Sequence, residues 1–82
     1  MNKTYKYLCF EELKAKTKTK QFTVRNKLSD FILGYVKWYA PWRRYCFFTR
    51  PYQSEIVFDA SCLADIQDFI NGLMSERKEK KA

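Results

Sequence analysis

The 82-residue sequence has no histidine, only two glycines and two prolines, and no apolar run near the roughly 18 residues of a membrane span. Without histidine the usual neutral-pH base and the commonest metal ligand are both missing, and no Cys-His or Ser-His nucleophile can be assembled. Two glycines cannot build a glycine-rich phosphate loop. Asp65 and Asp68, three residues apart on one helix face, are the one carboxylate pair placed to share a cation. They read better as a solvated helix face. The expectation is a non-catalytic protein with no cofactor and no metal site. Cys9, Cys46 and Cys62 are odd in number and lack metal-ligand spacing, so they read as small apolar fillers rather than disulfides. Near the N-terminus Leu8, Cys9 and Phe10 run directly into Glu11 and Glu12, which breaks any signal-peptide core. A cytoplasmic protein with no membrane partner is expected.

What is abundant is positive charge and aromatic rings. The net charge is +7, and it is uneven: residues 1–50 hold twelve Lys or Arg against three acids, residues 51–82 four against six. A basic half of this kind favours an anionic partner, either nucleic acid or an acidic host protein surface, and speeds encounter in a salt-dependent way. Apolar content of 46% with so little Gly and Pro argues for a folded chain, and its length for one domain with a thin core.

Along the chain, TYKYLCF reads either as a short strand or as a loosely docked segment, which leaves the role of residues 1–16 open. Lys14, Lys16, Lys18 and Lys20 alternate, so an extended backbone would point all four ammonium groups to one side. They would then meet a phosphate backbone or guard a sheet edge against pairing. Phe22 to Arg25 predict a strand ending at the turn NKLSD, ILGYVKWY a second strand closed by Ala40-Pro41, and RRYCFFT a third stopped at Arg50-Pro51. A fourth strand is an alternative at residues 54–58. Leu63, Ile66, Phe69, Ile70, Leu73 and Met74 recur at helical spacing behind Asp59 or Ser61 as cap, with Gly72 weakening the last turn and residues 75–82 a frayed tail. The predicted fold is α+β: a three-stranded antiparallel sheet, or four-stranded with the alternative, packed on one C-terminal helix.

Strand alternation then sorts the rings. Ile32, Gly34, Val36 and Trp38 are expected to face the helix, leaving Leu33, Tyr35, Lys37 and Tyr39 outside. Arg43, Tyr45, Phe47 and Thr49 are expected to extend that outer face, with Arg25 joining it and Cys46 and Phe48 inward. Of the adjacent Arg43 and Arg44, only one lies on the face and the other reaches from the rim. Both tryptophans read as structural, Trp42 the more exposed because it sits at a turn. Such a surface either displays Tyr rings and cations to a ligand or uses Lys and Arg stems to roof an undersized core.

The run LGYVKWYAPWRRYCFF, followed by CLADIQDFINGL, resembles a family of very short uncharacterised proteins carried by bacteriophages and other mobile elements, over residues 17 to 74. The resemblance implies expression inside a bacterial cell and brings no residue roles. A looser similarity, of topology alone, is to the small DNA-binding domains of some integrases, with three strands and a helix. The leading expectation is nucleic-acid binding, with Lys14, Lys16, Lys18, Lys20, Arg25, Lys37, Arg43 and Arg44 on phosphates and Tyr35, Tyr39 and Tyr45 making ring contacts. The alternatives are a protein-interaction module acting on a host nucleic-acid enzyme or defence protein, and an oligomeric structural component.

Overall fold

The computed structural model describes residues 2–14, 18–49 and 57–79, with side chains up to Arg77. It is an α+β fold in which an antiparallel sheet carries one C-terminal helix on one face. Within the described residues the sheet has five strands in sequence order: β1 (Lys3–Thr4), β2 (Leu8–Leu13), β3 (Gln21–Asn26), β4 (Ile32–Tyr39) and β5 (Arg44–Thr49). The expectation of three or four strands is corrected at the N-terminus, and the sheet also outgrows the three-stranded DNA-binding domains named above. There the alternation was hidden by two glutamates. Leu8 and Phe10 point inward and are fully buried, while Glu11 on the opposite face is neutralised by Arg25 of the neighbouring strand, 3.2 Å away. The strand alternative at 54–58 falls mainly on residues outside the described set, and Val57 and Phe58 are not in a strand.

The turn between β3 and β4 follows its sequence signal. Asn26 Oδ1 accepts from the Leu28 and Ser29 amides at 2.8 and 3.2 Å, and Asp30 adopts a left-handed conformation with φ 61°. A bulge follows: Val24 pairs with Gly34 but Arg25 with Ile32, leaving Leu33 as the extra residue. The expected facing of Ile32 and Leu33 is therefore exchanged, with Leu33 packed on the core and Ile32 on the side of Arg25.

Helix α1 (Ala60–Glu79) is longer than expected, running through Gly72 and the charged stretch after it. Asp59 caps it, accepting from the Cys62 amide at 2.8 Å and the Ser61 hydroxyl at 3.0 Å. These bonds, the Cys62 amide foremost, hold the Asp59 carboxyl below its ordinary range. Ile66, Phe69 and Leu73 enter the core beside Leu8, Phe10, Phe22, Val24, Val36 and Tyr45. Phe69 stacks on Phe10 with centroids 4.2 Å apart and meets Phe22 edge-on at 4.7 Å. Leu63 departs from the predicted stripe and is 54% exposed, one turn from the helix start.

Candidate nucleic-acid interface

Up-and-down topology places the β2–β3 and β4–β5 connections at the same end of the sheet. Lys14, Lys18 and Lys20 lie in or beside the first connection, and Arg43 and Arg44 in or beside the second. With strands spaced at about 4.8 Å, the centres of the two hairpins stand roughly 10 Å apart. The helix brings its C-terminal turns to this same end, where Glu76 meets Lys20 at 3.0 Å and Arg77 lies 4.1 Å over the Trp38 ring.

The second connection is built stiffly. Ala40–Trp42 form a short 3-10 turn with Pro41 in its first positions, and Arg43 closes it in the left-handed region at φ 53°, donating its amide to the Ala40 carbonyl at 3.1 Å. A non-glycine residue there costs roughly 1 kcal/mol or more, so the tip holds Arg43 in a conformation its side chain does not favour. Arg44 Nε donates to the Trp42 carbonyl at 3.3 Å. Trp42 itself is 65% exposed, with the Tyr39 ring perpendicular to it at 5.1 Å.

Four residues, 40–43, separate the paired Tyr39 and Arg44, and this even count decides the facing of β5. It sets odd-numbered residues of β4 beside even-numbered residues of β5, since directly paired residues share a face. Arg44, Cys46 and Phe48 therefore lie outside with Tyr35, Lys37 and Tyr39, and Tyr45, Phe47 and Thr49 lie on the helix side. The expected β5 facing is reversed. Tyr45 is 6% exposed, packs edge-on to Trp38 at 5.4 Å and accepts the Lys20 amide through its hydroxyl at 3.2 Å. It belongs to the core.

The remaining predicted site residues separate by their partners. Arg25 is bound to Asp30 at 3.0 Å and faces Glu11 at 3.2 Å, and these two carboxylates, Asp30 first, raise its pKa. The Arg25 Nε and Glu11 Oε1 atoms are buried and misaligned for a hydrogen bond, so their attraction is coulombic. Lys20 is raised chiefly by its bond to Glu76, despite partial burial. Both cations are already neutralised within the fold. Lys16 lies outside the described residues, so the expectation of four lysines along one extended edge cannot be followed through it. The described part of that segment bends at Lys18 and Thr19.

What the fold brings together is a smaller set. Lys14, Lys18 and Arg43 are exposed and make no ion pair among the described residues. Lys37 lies 4.6 Å over the Phe48 ring, and Phe48 packs against Tyr39 at 5.7 Å, so Tyr39, Phe48, Trp42, Lys37 and Arg44 form one patch running to the tip. Tyr35, paired with Phe48, borders it. The residues that sequence reasoning left out are Trp42 and Phe48. For Trp42 the signal was its place in the turn, which already predicted exposure; for Phe48 it was the four-residue length of that turn, which sets the facing of β5.

Over 78 residues, 94% of the chain and 96% of the relative, the sequence is 44% identical to an uncharacterized 9.3 kDa protein of Acholeplasma phage L2. The chain belongs to this family of short phage proteins. No known family profile and no solved structure matches it. Within the described part of this member of the phage family, no helix is long and apolar enough to cross a membrane. Asp68, one of the two helix carboxylates weighed above, is engaged by the fold: it accepts from the Tyr5 hydroxyl at 2.7 Å and pairs with Lys3 at 3.5 Å.

Proposed function

We propose that the protein is a non-catalytic phage accessory protein that binds nucleic acid inside the host cell through the hairpin-tip end of its sheet. The observation that carries this reading is that exposed cations from two separate connections, without an ion pair among the described residues, meet at the end of the sheet where a half-buried aromatic patch runs out to the exposed Trp42. Lys14 and Lys18 stand on one side, Arg43 and Arg44 on the other, with Lys37 behind them. Cations already bound within the fold would give little net attraction to phosphate, whereas free ones release counterions when they meet it. The role falls on Lys14, Lys18, Lys37, Arg43 and Arg44 for phosphates and on Tyr39 for a ring contact. Lys20, Arg25 and Tyr45 hold the structure.

The test is fluorescence anisotropy of labelled DNA at about 50 and 200 mM salt. Four to five phosphate contacts predict a loss of roughly 50- to 130-fold in single-strand affinity over that range. The double variant Lys18→Ala, Arg43→Ala should weaken binding and flatten the salt slope, whereas Lys20→Ala should change binding little. Absence of binding at the lower salt would overturn the reading.

A second reading is favoured by the ring content of the same patch. Tyr and Trp flanked by Arg are the usual anchors of protein interfaces. A partner protein would be most sensitive to loss of one central ring and least to loss of one lysine.

A further inference from the structure

We infer that the nucleic acid bound at the hairpin tips is single-stranded, and that Trp42 is the platform on which an unpaired base stacks. This rests on the nucleic-acid reading above and assigns a role to a residue that the charge pattern alone does not single out.

Three features of Trp42 carry it. The ring is 65% exposed although it belongs to one of the most apolar stretches of a chain with a small core, so its burial is not what the fold uses it for. Its placement is nevertheless fixed, by Pro41 in the same 3-10 turn, by the Arg44 guanidinium on its carbonyl and by the perpendicular Tyr39 ring. That perpendicular contact takes at most one face of the indole, and the other is left for a ligand. Arg43 follows Trp42 in sequence and is exposed, and Arg44 binds the Trp42 carbonyl, so two cations stand close to the ring in the same hairpin.

The chemistry of the ligand follows from this shape. A paired and stacked base offers only its edges in the grooves, and an indole standing on a protruding tip finds no free ring face there. A single strand presents every base face, and successive phosphates lie within reach of cations beside the ring. With the two hairpin centres roughly 10 Å apart, one strand passing over the tip is able to meet Lys14 and Lys18 on one side and Arg43 and Arg44 on the other. Stacking of this kind tolerates any base, so little sequence preference is expected.

The experiment compares a labelled 15-nucleotide dT oligomer with a 15-base-pair mixed duplex, by anisotropy at about 50 mM salt, using the full chain, Trp42→Ala and Trp42→Phe. A parallel Trp38→Phe protein leaves Trp42 as the only indole, so its emission reports the contact directly. The expected result is binding of the dT oligomer at least about tenfold tighter than the duplex, with Trp42 emission quenched at saturation. Trp42→Ala should lose about fivefold or more in dT affinity, and Trp42→Phe should keep part of it. Circular dichroism and a thermal melt of each variant check that the fold is intact. Equal or tighter duplex binding overturns the inference while leaving the basic tips as a nucleic-acid site. Salt-sensitive dT binding that is unchanged in Trp42→Ala overturns it in the same way. Failure of both probes to bind at this salt overturns the nucleic-acid reading and the inference together.

Discussion

Gly34 shows how a single residue shapes the outer aromatic patch without belonging to it. It is buried in β4 opposite Thr49, and an added Cβ would collide with the Phe48 carbonyl and stand 2.9 Å from the Phe47 ring. The close approach of β4 and β5 that glycine permits sets Phe48 on the outer face, under Lys37, and Phe47 against Phe58 on the other, at 5.6 Å. Gly34→Ala should therefore destabilise by about 1–3 kcal/mol, read as a lower urea midpoint, because the obstruction is backbone and a ring rather than a movable chain end. A wild-type midpoint would show that the strands are free to separate there. Alternation along β4 made the inward placement of Gly34, Val36 and Trp38 legible. The facing of Tyr45 was not, because it depends on whether three or four residues turn the chain.

Among the elements, the helix was the most legible in its period and the least in its length. The apolar stripe, Leu63 excepted, follows from residue spacing, and of the two caps it allowed, Asp59 and Ser61, the structure uses Asp59, but the stop expected near Gly72 does not occur. Tertiary partners explain the extension. Glu76 bonds Lys20 and Arg77 covers Trp38, so the turns after Gly72 are held by the sheet rather than by helix propensity. A methyl group at Gly72 would touch nothing within 4 Å. Gly72→Ala should accordingly raise stability by about 0.5–1 kcal/mol, measured by denaturant titration, through a less flexible unfolded chain. A loss of stability would mean that Gly72 serves a close contact beyond the described residues. The N-terminal strands were the opposite case. β2 was obscured because a strand whose outer carboxylate is balanced by a neighbour's guanidinium looks, in one dimension, like a charged loop.

Across the whole molecule, Asp68 and Tyr5 tie the middle of the helix to the β1–β2 connection. The Tyr5 hydroxyl, with Lys3, holds the Asp68 carboxyl below its ordinary range, whereas partial burial and then the Asp68 contact push the Tyr5 phenol well above its own. A depressed carboxylate contributes stability above its unfolded pKa, about 3.9, and loses it as pH falls through the folded value. A raised phenol contributes below its unfolded pKa, about 10, and loses it as pH rises through the folded value. Thermal melts of the wild type and Asp68→Asn should thus differ most between these limits, and the gap should close toward pH 2. A gap that widened on acidification would contradict the assignment.

Local composition was enough for the class of fold, the helix face, the two turns at NKLSD and Ala40-Pro41, and the presence of a basic aromatic surface, because each depends on neighbours within a few residues. Which cations remain free was a tertiary matter. Lys20 and Arg25 look in sequence no different from Lys18 and Arg43, yet the first pair face carboxylates from distant or neighbouring strands and helix turns. Charge neutralisation is a pairwise effect falling off over a few ångströms, so it is decided only when the chain has closed. The same closure brought the β2–β3 and β4–β5 connections to one end of the sheet and left Trp42 exposed there.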